Sequence, residues 1–356
     1  MVGSSPRSVV LRGSSRSPRL PMTTPIKTHL SERSAASYLP LEWNETRRFS
    51  PHLLPKILNR ISSVATSFGL SDLIHKSTVL PSFADCNPMN VYGDIGQVVD
   101  ESMIMKDGDG VGLVVFLKKG LQWPWKPTQD INGIVSDAVA TLTSRYNPPS
   151  PSKTDLRHKE FNKELQPDCG VYHFALWVAT GQGNAANPKH PTPHQAVLSR
   201  DILSAAYKTD AVLQFYRSMA PIIQKIGILF EGLDPAGYAR YRSNWSYLAG
   251  ITPLKLLEVT QRQCFLGMAV LHGVKVGIHK DRGDVKDGWV AMICCGEFEG
   301  GELCFPGLGL KLEHRPGDVI FFRSTLLEHF VSDFDGNRTS IVFFSHENLI
   351  DTGEGV

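Results

Sequence analysis

The sequence predicts an α+β fold in which helices precede and support a C-terminal double-stranded β-helix, or jelly roll. Two observations carry that expectation. From residue 262 onward, short β-like runs recur at close spacing, at 263–272, 274–281, 288–295, 302–305, 318–323, 327–332 and 338–345. Turn residues separate them, at Gly283-Asp284, Gly300-Gly301, Pro306-Gly307, Pro316-Gly317-Asp318 and Asp335-Gly336-Asn337. Many short strands punctuated this way indicate an antiparallel sandwich.

The elements follow in order. Residues 1–50 are rich in Ser, Pro and Arg without apolar periodicity, and are expected to be a disordered basic arm. Residues 51–356 are expected to be one folded domain, with 51–261 mainly helical support and 262–349 the jelly-roll core. Between Pro51 and Leu73 the spacing of Leu54, Ile57, Leu58, Ile61 and Val64 suits an amphipathic helix. A strand is expected at Val111–Leu117, closed by Lys118, Lys119 and Gly120. Residues 128–146 read as a helix ended by Pro148, Pro149 and Pro151. A second strand is expected at Val171–Ala179, and a polar loop at Gly181–Pro193. The Ala/Leu/Ile-rich stretch 195–231 reads as a long helical region, and a helix begins at Pro235 and runs to about Leu248.

Composition narrows the classes. A chain of 356 residues, 42% hydrophobic and 20% charged, can bury a large core. No apolar run approaches the roughly 18 residues of a membrane span, so no membrane partner is expected. The six cysteines form no CxxC pair, which argues against a zinc module or disulfide framework and for a reducing compartment. Cys294 and Cys295 read either as buried strand residues or as a redox pair. Residues 1–60 hold ten Lys/Arg and three Glu, a net of +7, which leaves −5 for the rest. A polyanionic partner would therefore be drawn to the arm, whereas the body would need a local basic patch. The first 31 residues carry no acid, which suits either a mitochondrial transit segment or a solvated tail.

One constellation carries chemistry. In His279-Lys280-Asp281, positions i and i+2 of a strand share a face, so His279 and Asp281 can grip one ion. His329 arrives 50 residues later, after enough strands to return the chain across a sandwich. Two imidazoles and one carboxylate leave open positions on the metal, as non-haem Fe(II) oxygenases require. Nine residues on, Arg338 with Ser340 on its strand face forms a fork able to hold a distal carboxylate. The expected active site is thus His279, Asp281, His329, Arg338 and Ser340.

The segments HKDRGD, GEFEGGELCFPGLG, HRPGDVIFFRSTLLEH and NRTSIVFFSH resemble the TET/JBP family of nucleic-acid base dioxygenases, over roughly residues 262–349. The resemblance implies that Asp284, three after the metal Asp, and His346, eight after the Arg, contact a flipped base. It implies that His279, Asp281 and His329 bind Fe(II) and that Arg338 with Ser340 binds the far carboxylate of 2-oxoglutarate, with O2 as co-substrate and ascorbate as reductant. It also implies methylated DNA as partner, oxidation of 5-methylcytosine to 5-hydroxymethylcytosine or further, and a nuclear location beside the mitochondrial option. An ionised Asp284 only accepts hydrogen bonds, which suits the amine of cytosine or N6-methyladenine and opposes thymine. Against these roles stand a turn residue for Asp284 beside Gly283 and a surface strand end for His346. The Cys-rich zinc region of the animal TET enzymes has no counterpart here. Trp123, Trp125 and Trp177 read as core residues or as stacking platforms. The rival functions are an oxygenase of a protein side chain or small molecule, and an inactive jelly-roll binding module. No protein partner follows from the sequence.

Overall fold

The computed structural model describes residues 62–65, 98–107, 111–122, 130–153, 155–158, 161–178 and 196–350, all within one compact unit, Ser50–Val356. The expected arm, the loop Gly181–Pro193, Trp123 and Trp125 lie outside the described residues. In chain order the strands are β1 Ser62–Ala65, β2 Val98–Val99, β3 Met103–Lys106, β4 Gly112–Leu117, β5 Gly170–Val178, β6 Ala196–Leu198, β7 Gly267–His272 and β8 Val290–Cys295. They continue with β9 Phe298–Gly300, β10 Leu303–Phe305, β11 Leu310–Leu312, β12 Val319–Phe322, β13 Phe330–Val331, β14 Phe334–Gly336 and β15 Thr339–Phe344. The helices are α1 Ile131–Arg145, α2 Arg200–Leu203, α3 Ala206–Ser218, α4 Ala220–Leu233 and α5 Pro235–Ile251.

The major sheet runs β1-β3-β4-β12-β8-β15-β7-β5-β6, and a minor sheet runs β13-β10-β11-β2. One apolar cluster joins them: Val290, Met292, Ile320 and Phe322 from the major sheet meet Leu303, Phe305, Leu310 and Leu312 from the minor. The other face of the major sheet is covered by helices. Phe230 of α4 packs on Phe265 at 5.4 Å and on Phe321 at 6.0 Å between ring centroids, and Phe215 of α3 packs on Phe174 at 5.9 Å. This double cover explains the unbroken apolar strings VIFF in β12 and VAMICC in β8, where every residue is buried. A strand covered on both faces has no polar alternation to show. Cys294 and Cys295 are buried strand residues.

The structure corrects several expected elements. Residues 62–65 are a strand pairing parallel to Met103–Lys106, not part of a helix; a run of four residues is too short for its apolar spacing to decide the element. The stretch 195–231 is not one helix but β6 followed by α2, α3 and α4, broken around Ser204 and Met219. The runs 274–281 and 327–332 are not full strands. His279 and His329 instead form an isolated antiparallel bridge, and only Phe330–Val331 is a strand. Strands of two to four residues, such as β2, β9, β11 and β14, fall below the length at which alternation can be read.

Candidate active site

The two imidazoles are fixed by their own backbones. His279 N–H donates to His329 O at 3.1 Å and His329 N–H to His279 O at 2.9 Å, which brings the rings to 4.3 Å between centroids. Each ring then ties its Nδ1 to the carbonyl two residues earlier, His279 to Gly277 O at 2.9 Å and His329 to Leu327 O at 3.0 Å. A carbonyl only accepts, so Nδ1 carries the proton and both Nε2 lone pairs are free. Asp281 is placed by its N–H to Ser324 O at 3.1 Å. Its oxygens lie 3.5 Å from each Nε2. The three donor atoms lie within 4.8 Å of one another.

This donor set suits one small divalent ion. Burial, then the charge of His329, pulls the His279 pKa down to about 3, so the ring is a neutral ligand. Burial works against the Asp281 carboxylate, but the neighbouring His329 and His279 and the Arg157 guanidinium hold it below the usual range. His279 and Asp281 thus offer unprotonated donor atoms before an ion arrives. A second layer supports Asp281: Arg157 Nη1 donates to Oδ1 at 2.8 Å. Arg157 is itself held by Asp155, through Nε at 2.9 and 3.1 Å and Nη2 at 2.7 Å.

The cluster opens into a chamber of about 360 Å³. It is lined from the major sheet by Ser340, Val342 and Phe344 of β15 and Val171, His173 and Trp177 of β5, and from the minor sheet by Leu303, Phe330 and Val331. The intervening residues of β5, Tyr172 and Phe174, pack as core, Phe174 against α3. Strand alternation therefore aims His173 and Trp177 inward.

Arg338 stands behind Ser340, immediately before β15, and is buried. Its Nη1 donates to Ser340 Oγ, and its guanidinium lies over Phe298 at 5.1 Å and Phe334 at 5.8 Å. Nη2 is 3.4 Å from Nδ1 of His314. Burial, then the Arg338 charge, holds His314 well below the usual histidine range, so a neutral ring accepts from the guanidinium. Arg338 Nε is buried without a partner among the described residues, as expected of a cation whose anion is a ligand. Gly301 makes room for it: φ is +74°, and a Cβ there would sit 2.8 Å from Arg338 Cδ and Nε.

Residues 194–347 match the Tet_JBP family model, the oxygenase domain of the 2OGFeDO superfamily. The protein is an iron(II)- and 2-oxoglutarate-dependent oxygenase. The match begins well before residue 262, so the family resemblance takes in the helices α2–α5 as well as the jelly roll. No curated protein sequence matches the chain. Among solved structures, NgTET1 in complex with 5mC DNA is 16% identical with a TM-score of 0.46, covering 85% of this chain and 93% of that one. A 2OG-Fe(II) oxygenase family oxidoreductase from Burkholderia pseudomallei is 12% identical with a TM-score of 0.33, covering 82% and 96%. JOX2 in complex with 2OG, Fe and JA is 11% identical with a TM-score of 0.29, covering 80% and 76%.

In the oxygenase, the two residues expected at the base meet each other. Asp284 and His346 form an isolated antiparallel bridge, with Asp284 Oδ1 3.6 Å from His346 Nδ1. Both line the chamber. Asp284 is 6% exposed and its Oδ2 accepts from Ser324 Oγ at 2.7 Å, which is more than a turn residue does. Burial, then the charge of Asp281, pushes its carboxyl well above the usual range. His346 is not a surface strand end. Its Nδ1 donates to Gly283 O at 3.0 Å, and its ring lies 4.6 Å from Trp177 at a 35° tilt.

Four residues of the oxygenase site escaped the sequence: Arg157, His158, His173 and His314. The first three reach the chamber from elements far from the ligand motif, with no spacing to signal them. His314 stands in HRPGD, where a fully buried histidine beside Pro and Gly reads as an ordinary turn residue.

Proposed function

We propose that this oxygenase converts 5-methylcytosine in DNA to 5-hydroxymethylcytosine. His279 and His329 would hold iron(II) through Nε2 and Asp281 through a carboxylate oxygen, while Arg338 and Ser340 clamp the distal carboxylate of 2-oxoglutarate. With O2, iron and 2-oxoglutarate supply an oxidant able to hydroxylate a methyl group, one oxygen entering the alcohol and the other succinate as CO2 leaves.

The observation that carries the substrate reading is the Asp284–His346 bridge with Trp177 stacked on it, in the chamber the ligands share. Trp177, His346 and Phe344 form an aromatic shelf, with Phe344 5.1 Å from His346. A planar base entering the chamber can stack there, at about 1–3 kcal/mol per base. Asp284 in either protonation state keeps an oxygen that accepts from an exocyclic amine, whereas thymine presents an acceptor there. A base in a duplex is buried in its stack, so the substrate must be flipped, which costs a few kcal/mol.

The test is mass spectrometry of products from methylated duplex DNA, unmethylated DNA, N6-methyladenine DNA and peptide pools, each with iron(II), 2-oxoglutarate and ascorbate. Hydroxymethylcytosine from the first substrate alone is the expected result. Hydroxylated peptides with every DNA base unchanged would replace the reading with a protein-directed oxygenase.

A further inference from the structure

His279 and Asp281 face the ion site, and Lys280 and Arg282, the latter opening the turn after the ligands, stand on the same chamber. Arg282 is exposed, as is Lys286 four residues on. Neither side chain makes an ion pair or hydrogen bond among the described residues. Lys280 is different, half-buried and facing Glu328. The acids beside Lys286 are Asp287 and Glu347, and Glu347 is already engaged, its Oε2 accepting the Lys286 backbone N–H at 2.9 Å. That bond ties Lys286 to the residue after His346, on the substrate side of the chamber.

We infer that Arg282 and Lys286 form a phosphate-gripping rim, which docks the sugar-phosphate backbone of the nucleic acid whose base enters the chamber. The inference rests on the nucleic-acid reading above and names the surface it lacks. A base pushed in far enough to bring its methyl to the ligand cluster carries its sugar and flanking phosphates to the mouth. Those phosphates need cations that are not already paired, and phosphate contacts set the register of a nucleic acid on a protein. Beyond residue 60 the chain is net acidic, so its attraction for a polyanion has to be local. Arg282, with its planar fork, suits a phosphate held in fixed orientation; Lys286 suits a looser point contact.

The experiment measures binding of the full chain to methylated duplex DNA across a salt series. Four proteins are compared: wild type, Arg282→Ala/Lys286→Ala, the charge-keeping Arg282→Lys/Lys286→Arg, and Lys208→Ala/Arg217→Ala on α3, with folding checked by thermal melting. Two lost phosphate contacts should reduce the slope of log K against log salt by about 1.8. A fourfold rise in salt should then cost the wild type about twelvefold more affinity than the alanine double variant. The charge-keeping variant should hold most of the slope and the α3 variant all of it. A wild-type slope in Arg282→Ala/Lys286→Ala, or an equal loss in the α3 variant, overturns the rim. Binding slopes are read without turnover, so salt-dependent binding that yields no oxidised base would remove the substrate reading and still decide the rim.

Discussion

The two ends of the chamber are built by different means. At the iron end, three ligands come from two short segments that bridge each other, and each imidazole is oriented by a carbonyl two residues away in its own chain. The information is local, and the geometry survives wherever those segments pair. At the substrate end, Trp177 comes from β5, Asp284 from the loop after the ligands and His346 from the end of β15. Only Asp284 is local to the ligand motif; Trp177 and His346 are remote from it in the chain, and their meeting depends on β5, β7 and β15 lying side by side in the major sheet. Catalytic power thus resides in a motif and selectivity in the tertiary fold. The iron end should tolerate little chemical change, whereas the substrate end should be altered without losing the oxidant.

The sharpest way to break that contrast is His329→Ala, which removes a ligand held by two backbone bonds. Succinate formation should fall below detection while the circular dichroism spectrum holds; an active, folded variant would remove the iron assignment. Next is Asp284→Ala, expected to lower base oxidation on the order of a hundredfold while leaving uncoupled 2-oxoglutarate consumption within a few fold. Parallel loss of both would merge the two ends into one. Arg157→Ala should follow, because an outer partner of a ligand typically contributes 10- to 100-fold in metal affinity; a cobalt(II) titration reads this without turnover. Arg338→Lys keeps the charge but loses the fork, and the KM for 2-oxoglutarate should rise about tenfold with kcat less affected. An unchanged KM would move the clamp to another residue.

Much of the iron end was legible in the sequence. HKD, the later His329 and Arg338-x-Ser340 are read from residue type and spacing, and the run of short strands placed them in a jelly roll. The chemical state of Asp284 was not legible, since burial and the neighbouring Asp281 charge are properties of the fold. Arg157 and His173 were invisible for a related reason. Arg157 acts across 124 residues of chain through Asp281, and His173 differs from a core histidine only in which face of β5 it occupies. The helix expected over Pro51–Leu73 gives way to a strand at 62–65, where pairing with β3 overrides the local apolar spacing.

The most direct measurement is the ratio of succinate to 5-hydroxymethylcytosine produced by the iron-loaded oxygenase on methylated duplex DNA. The wild type should approach one succinate per oxidised base, and Asp284→Ala should make succinate with far less base product. A wild type that makes succinate from 2-oxoglutarate, yet leaves 5-methylcytosine untouched, would contradict the account.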